Sequence, residues 1–262
     1  MIDTPSLETA PSAPLVLPSQ ALTTLRIARR AAIESLRDRT TYIMSLIFAV
    51  VLPIGVVVGM LRPDSLHAGT SAKTAALATL IGVCVLIVGL GPSSGAMNIA
   101  AGVFAGEKEK GNLAPLLATP ASNLSIFAGK VLGSVIPALL YSLLAEIIYL
   151  VALAGILGPD RLRLLSLSLW FSTAMLVAPF TVLGAAVASF ISSRVRTYNA
   201  AQMATGLALL PIMGLLLGMG IALRDQSAGL RLACAAGLIA LDLLVLRVAA
   251  YTWRREEVMA HQ

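Results

Sequence analysis

Charge is scarce in this chain: 12% of its 262 residues are Asp, Glu, Lys or Arg, about half the share of an average soluble domain. Histidine occurs twice and cysteine twice, too few for a disulfide framework or a His/Cys metal centre. Cys84 and Cys234 both fall inside apolar runs, where buried, unpaired thiols are expected. Aromatic residues make up 5%, and no basic stripe is interleaved with them, so nucleic-acid readers are excluded. What abounds is apolar: 58% hydrophobic residues and a mean hydropathy of +0.88. That composition excludes disorder and places the chain in a lipid bilayer.

The net charge of +6 is gathered in short clusters between long uncharged runs, the way membrane proteins fix orientation. Residues 1–20 carry Pro5, Pro11, Pro14 and Pro18, a spacing that forbids a continuous helix, and read as a disordered tail. Over 21–41, Leu22, Leu25, Ala28, Ala32 and Leu36 recur at helical spacing while Arg26, Arg30, Glu34 and Arg37 mark other faces; this is a basic amphipathic helix lying on the membrane surface. A crossing needs about 20 apolar residues. Six uncharged or nearly uncharged runs satisfy that within 42–253: Tyr42–Leu61, Thr74–Gly106 with a kink at Gly91-Pro92, Val131–Gly158, Leu164–Ser193, Thr197–Leu223 and Leu232–Tyr251. The fold class is therefore an all-α membrane protein of six transmembrane helices, an N-terminal interfacial helix, a short helix between spans two and three, and a tail over 254–262.

Positively charged loops resist translocation. One side collects Arg26, Arg29, Arg30, Arg37 and Arg39, then Lys108, Lys110 and Lys130, then Arg194 and Arg196, then Arg247, Arg254 and Arg255; the other holds Arg62, Lys73, Arg161, Arg163, Arg224 and Arg231. Both termini are expected in the cytoplasm, in a multi-pass protein of the cytoplasmic membrane.

The connection between spans two and three reads FAGEKEKGNLAPLLATPASNLSIFAGKVLG over 104–133. Gly106 and Gly111 bracket Glu107, Lys108, Glu109 and Lys110, and Leu113, Leu116 and Leu117 then share one face of a helical turn. Thr119-Pro120 stops that turn, and Ser122 or Asn123 is placed to cap the third span. A short helix with leucines on one face and charges around it suits a groove on a soluble partner; a solvated loop folding its leucines back onto the membrane is the other reading of the same residues.

This run resembles the hallmark of ATP-binding-cassette (ABC) type-2 permeases: the charged cluster Glu107 to Lys110, Gly111, the leucines at 113, 116 and 117, Thr119-Pro120, and Gly129-Lys130 opening the next span. Leu36-Arg37-Asp38-Arg39 and SSRVRTYNAAQM over 192–203 extend the likeness. The resemblance implies a type-V exporter frame in which the 106–120 segment couples to a nucleotide-binding ATPase subunit, with Glu107, Glu109, Leu113, Leu116 and Leu117 as its coupling residues. It also implies a second permease subunit, identical or different, and ATP and Mg held by the partner, this chain binding no cofactor or metal and having no catalytic residue of its own. Ala114 departs from the pattern, where relatives place an acidic residue. Lys130 is followed by Val131 and not by Ser or Thr, so Gly129-Lys130 is not a phosphate-binding loop.

Three side-chain features stand apart. Glu146, inside the third span, is expected either as a polar group lining a pathway or as interhelical hydrogen-bonding glue. Asp242 and Arg247 are five residues apart, out of register for a strong pair. Gly91/Gly95, Gly102/Gly106 and Gly214/Gly218 are spaced for close helix packing. Gly91-Pro92-Ser93-Ser94-Gly95 hints at an intramembrane serine protease, but His67 and His261 lie outside every span, leaving no base. A secondary transporter, or a membrane scaffold regulating an ATPase, would share the span count; the first lacks a visible inverted repeat.

Overall fold

The computed structural model describes residues 19–37, 39–60, 71–109, 111, 121–158, 167–223 and 226–252. Among these the secondary structure is helical throughout: α1 (Gln20–Arg37), α2 (Arg39–Met60), α3 (Ser71–Leu90), α4 (Ser93–Glu109), α5 (Asn123–Leu157), α6 (Leu167–Arg194), α7 (Tyr198–Ala222) and α8 (Ala228–Thr252). Six stretches are long and apolar enough to cross a membrane, with α3 and α4 together making the second. The expected kink at Gly91-Pro92 is a full break. Pro92 has no N–H to give, and Ser94 and Gly95 turn their amides back to Gly91 O (3.2 Å) and Pro92 O (2.9 Å). Ser94 Oγ donates to Gly91 O at 2.7 Å, a local capping bond that engages one of the two hydroxyls in the run behind the protease reading.

The spans are not equivalent. The second and fourth are 65% and 67% buried inside the chain, while those of α7 and α8 are 17% buried. The core consequently lies between α4, α5 and α6, where Phe104, Phe127, Phe180 and Ile126 are fully enclosed. A second apolar cluster joins Ala49 and Val57 of α2, Ile81, Cys84 and Val85 of α3, and Ala145, Tyr149 and Leu153 of α5. Outward-facing Leu207, Leu210 and Leu215 on α7 are ordinary where the surrounding medium is hydrocarbon.

α1 has three faces, as its 100° rotation per residue dictates. Ala28 and Ala32 are buried, Leu22, Leu25, Ile33 and Leu36 are exposed, and Arg26, Arg30 and Arg37 fall on the third side. The buried face lies on α5, where a Cβ on Gly129 would stand 2.9 Å from both Ile27 and the Thr24 carbonyl, and one on Gly133 would stand 3.0 Å from the Ala28 carbonyl and collide with Ala31. Glycine at these two positions lets the helix backbones touch, a pair the sequence reading overlooked. Of the pairs expected to pack, Gly91 and Gly95 meet Leu52 and Ser45 of α2 and Gly102 meets the Tyr198 ring, whereas Gly106, Gly214 and Gly218 have nothing within 4 Å. Of the expected 21–41 helix, α1 covers residues through Arg37 and α2 begins at Arg39.

Candidate coupling site

Glu107, Lys108 and Glu109 form the last turn of α4. Being consecutive on a helix, they point about 100° apart, and each side chain reaches a different neighbour. Glu107 forms an ion pair with Lys130 of α5. Lys108 Nζ donates to Ser193 O (2.6 Å) and Val195 O (3.2 Å) at the C-terminal end of α6. Glu109 Oε1 accepts from Tyr198 N (3.0 Å), the first residue of α7. The signs are those a helix end selects: a cation on the orphan carbonyls at a C-terminus and an anion on the orphan N–H groups at an N-terminus. Thr197 completes the second cap by accepting from Ala200 N at 3.3 Å.

Beneath these charges the contact is aromatic. Phe104 of α4 and Phe127 of α5 stack with centroids 5.5 Å apart, and Lys130 Nζ stands 4.9 Å over the Phe104 ring while donating to Val103 O at 3.0 Å. Lys130 is only 5% exposed, so the Glu107 carboxylate, the carbonyl and the ring together replace its water. Ser192 Oγ bridges α6 to α4, accepting from Ala105 N (2.9 Å) and Phe104 N (3.2 Å) and donating to Ala101 O (2.6 Å). α1 borders the site: Glu34, hydrogen-bonded to Arg30 at 2.8 Å, holds that guanidinium above its ordinary pKa, with a weaker pull from Glu107.

Past α4 the chain turns at Gly111, whose φ of +67° is left-handed and open to glycine without the Cβ penalty; its N–H bonds Lys108 O at 3.1 Å. Lys110 and residues 112–120 lie outside the described residues, and with them Leu113, Leu116 and Leu117. The next span begins at Asn123, capped by Ser122, whose side chain accepts from Ser125 N. Gln20 of α1 closes over this start, its Oε1 accepting from Ser125 Oγ at 2.8 Å. Three separated stretches of sequence, Glu107–Glu109, Gly129-Lys130 and 192–198, thus converge on one patch. The family model for ABC-2 family transporter proteins matches residues 25–245, most of the chain and all of this patch.

The chain belongs to the ABC-2 transporter family. No curated protein matches it. As a member of that family it is a multi-pass membrane permease, and the described patch sits where its second span gives way to the connection before the third. The roles of Lys130, Ser192 and Tyr198 escaped the sequence reading, although the runs that contain them had been marked; nothing in linear spacing says that a lysine 23 residues on will neutralise Glu107.

The remaining sequence candidates fall elsewhere. Glu146 is 6% exposed, and neither carboxylate oxygen has a hydrogen-bond partner among the described residues. Asp242 is buried while Arg247 is exposed, so the two do not pair. Among the described residues no group of His, Cys, Asp and Glu could hold a metal ion.

Proposed function

We propose that the chain is the membrane subunit of an ABC exporter, moving its cargo across the cytoplasmic membrane with energy from ATP hydrolysed, with Mg, by a separate nucleotide-binding subunit. Two such permease subunits form the pathway, and both termini face the cytoplasm. The observation that carries this reading is the three-way anchorage of the α4 foot. A segment that docks on a motor must pass force to the spans, and Glu107, Lys108 and Glu109 tie its root to α5, α6 and α7 at once. In this reading the 106–120 segment touches the ATPase through Leu113, Leu116 and Leu117, while Glu107 and Glu109 act behind it by holding the root to the bundle.

The deciding experiment changes Leu113, Leu116 and Leu117 together to Ser in the full chain. The variant should still insert, but lose co-purification of the ATPase and ATP-dependent transport in proteoliposomes. A triple variant that couples like wild type would sink the docking assignment. Cysteines placed near Asp64, Asp160 and Asp225 should react with an impermeant reagent from outside intact cells, and one near Lys108 should not; the reverse pattern overturns the topology.

A further inference from the structure

A groove of about 630 Å³ runs between the first turn of α5 and the last two turns of α8, lined by Asn123, Leu124, Arg247, Val248, Ala250 and Tyr251. Among the described residues Arg247 is the one charged member of its wall, and the guanidinium has no hydrogen bond or ion pair with any of them. Asp242, the nearest acid on α8, points about 140° away around the helix and is buried. Arg247 lies five residues before Thr252, the end of α8, hence about 7 to 8 Å along the axis from it. From there its long side chain can reach outward to the lipid phosphates.

The rest of the groove suits a lipid. Leu124, Val248 and Ala250 make an apolar wall, Tyr251 stands one turn beyond Arg247 with the amphipathic ring favoured at interfaces, and the positive end of the α5 dipole opens beside them. We propose that this groove holds an anionic phospholipid of the leaflet on the coupling-segment side, its phosphate on Arg247 and an acyl chain along Leu124 and Val248. Basic pockets between spans bind such head groups through this combination of a cation and apolar walls. The inference rests on the membrane-spanning architecture and is independent of any ATPase partner.

The test uses the full chain in phosphatidylcholine nanodiscs carrying traces of spin-labelled phosphatidylglycerol or spin-labelled phosphatidylcholine. Wild type should immobilise the anionic lipid preferentially, and Arg247→Gln should lower that preference roughly fivefold, the factor one cation contributes at an anionic surface. Arg247→Lys should fall between them, and Leu124→Trp, which narrows the groove and keeps the charge, should also lower the immobilised fraction. Equal preference in wild type and Arg247→Gln, or an immobilised fraction unchanged by Leu124→Trp, overturns the proposal. Displacement of the label by inorganic phosphate at millimolar concentration would make this a free-anion site and overturn it equally.

Discussion

At the foot of α4 each described charge is held by another helix; elsewhere in the bundle several buried polar groups have no such partner. Lys130, Lys108, Glu109 and Ser192 all hold partners from another helix. Glu146, one oxygen of Asp242, and the hydroxyls of Ser189 and Thr205 are buried without a hydrogen bond among the described residues. The two regions use polarity oppositely. Paired charges at a helix end fix geometry, because each is strongly held only in one arrangement. An orphan group adds no bond of its own, and α5, which carries Glu146, is tied to α3 instead by Ser142 Oγ donating to Gly89 O at 2.6 Å and Tyr149 Oη donating to Ile81 O at 3.3 Å. The exporter proposed above needs a stiff root where force enters, which the foot of α4 supplies.

The largest expected effect comes from unpairing Lys130. Glu107→Gln leaves a cation with 6% side-chain exposure without its counter-charge, and breaking such a pair costs about 3 to 5 kcal/mol. Unfolding in a graded detergent series should show a loss near the lower figure, since Glu107 itself is 33% exposed. Glu107→Gln combined with Lys130→Met should recover most of it, because no charge is then stranded. A double variant as unstable as the single one would show that the site depends on the lysine's other contacts.

Next in size is the seat of α1. Gly133→Ala sets a methyl against Ala31 and the Ala28 carbonyl, and overpacking of that kind costs about 1 to 3 kcal/mol. Gly214→Ala, on the open face of α7, should leave the isolated chain's stability within about 0.5 kcal/mol, the range of substitutions that touch nothing. Comparable losses from both would mean that α7 is covered as tightly as α5.

This contrast also marks how far the sequence could be read. Six spans and the surface helix followed from counting apolar residues, because the bilayer imposes one length on every crossing. The glycine rule succeeded at Gly91 and Gly95 and failed at Gly214 and Gly218, since spacing records which residues share a helix face but not what lies opposite. Gly129 and Gly133 went unnoticed as a pair, because their spacing says nothing of α1 lying opposite. α5 begins at Asn123 with the expected cap at Ser122, and Lys130, neutralised by Glu107, lies inside it. Long-range pairing is what linear spacing lacks: the charges of residues 107–109 were visible, their three recipients were not.

A smaller effect should follow at the α6 cap. Lys108→Met removes the donor to Ser193 O and Val195 O, a charged hydrogen-bonding interaction worth about 1.5 to 3 kcal/mol when fully made. Because the orphaned carbonyls lie at a helix end that water can reach, the loss should lie near 1.5 kcal/mol by the same unfolding assay. The sharper readout is amide exchange: protection should fall at the α6–α7 junction and stay unchanged in α3. Uniform loss across the chain would deny Lys108 a local capping role.

The smallest effect is expected at Glu146, and it tests the other half of the contrast. The residue lies eleven positions before Leu157, the end of α5, about 16 Å along the helix and thus near the middle of a hydrocarbon layer about 30 Å thick. A carboxyl so placed, with 6% exposure and no partner among the described residues, has nothing to offset a charge, and a bare charge there is opposed by several kcal/mol. Removing an unsatisfied buried polar group in favour of an apolar one of similar size is close to neutral or stabilising. Glu146→Leu should therefore unfold within about 1 kcal/mol of wild type, on the stable side, which is the reverse of what hydrogen-bonded glue requires. Glu146→Gln keeps the polarity and loses the ability to ionise, so its transport in proteoliposomes should follow the same pH profile as wild type if the group stays neutral throughout the cycle. A profile that flattens in Glu146→Gln, with stability unchanged, would show that the middle of the bundle opens to water during transport and that this carboxyl titrates when it does.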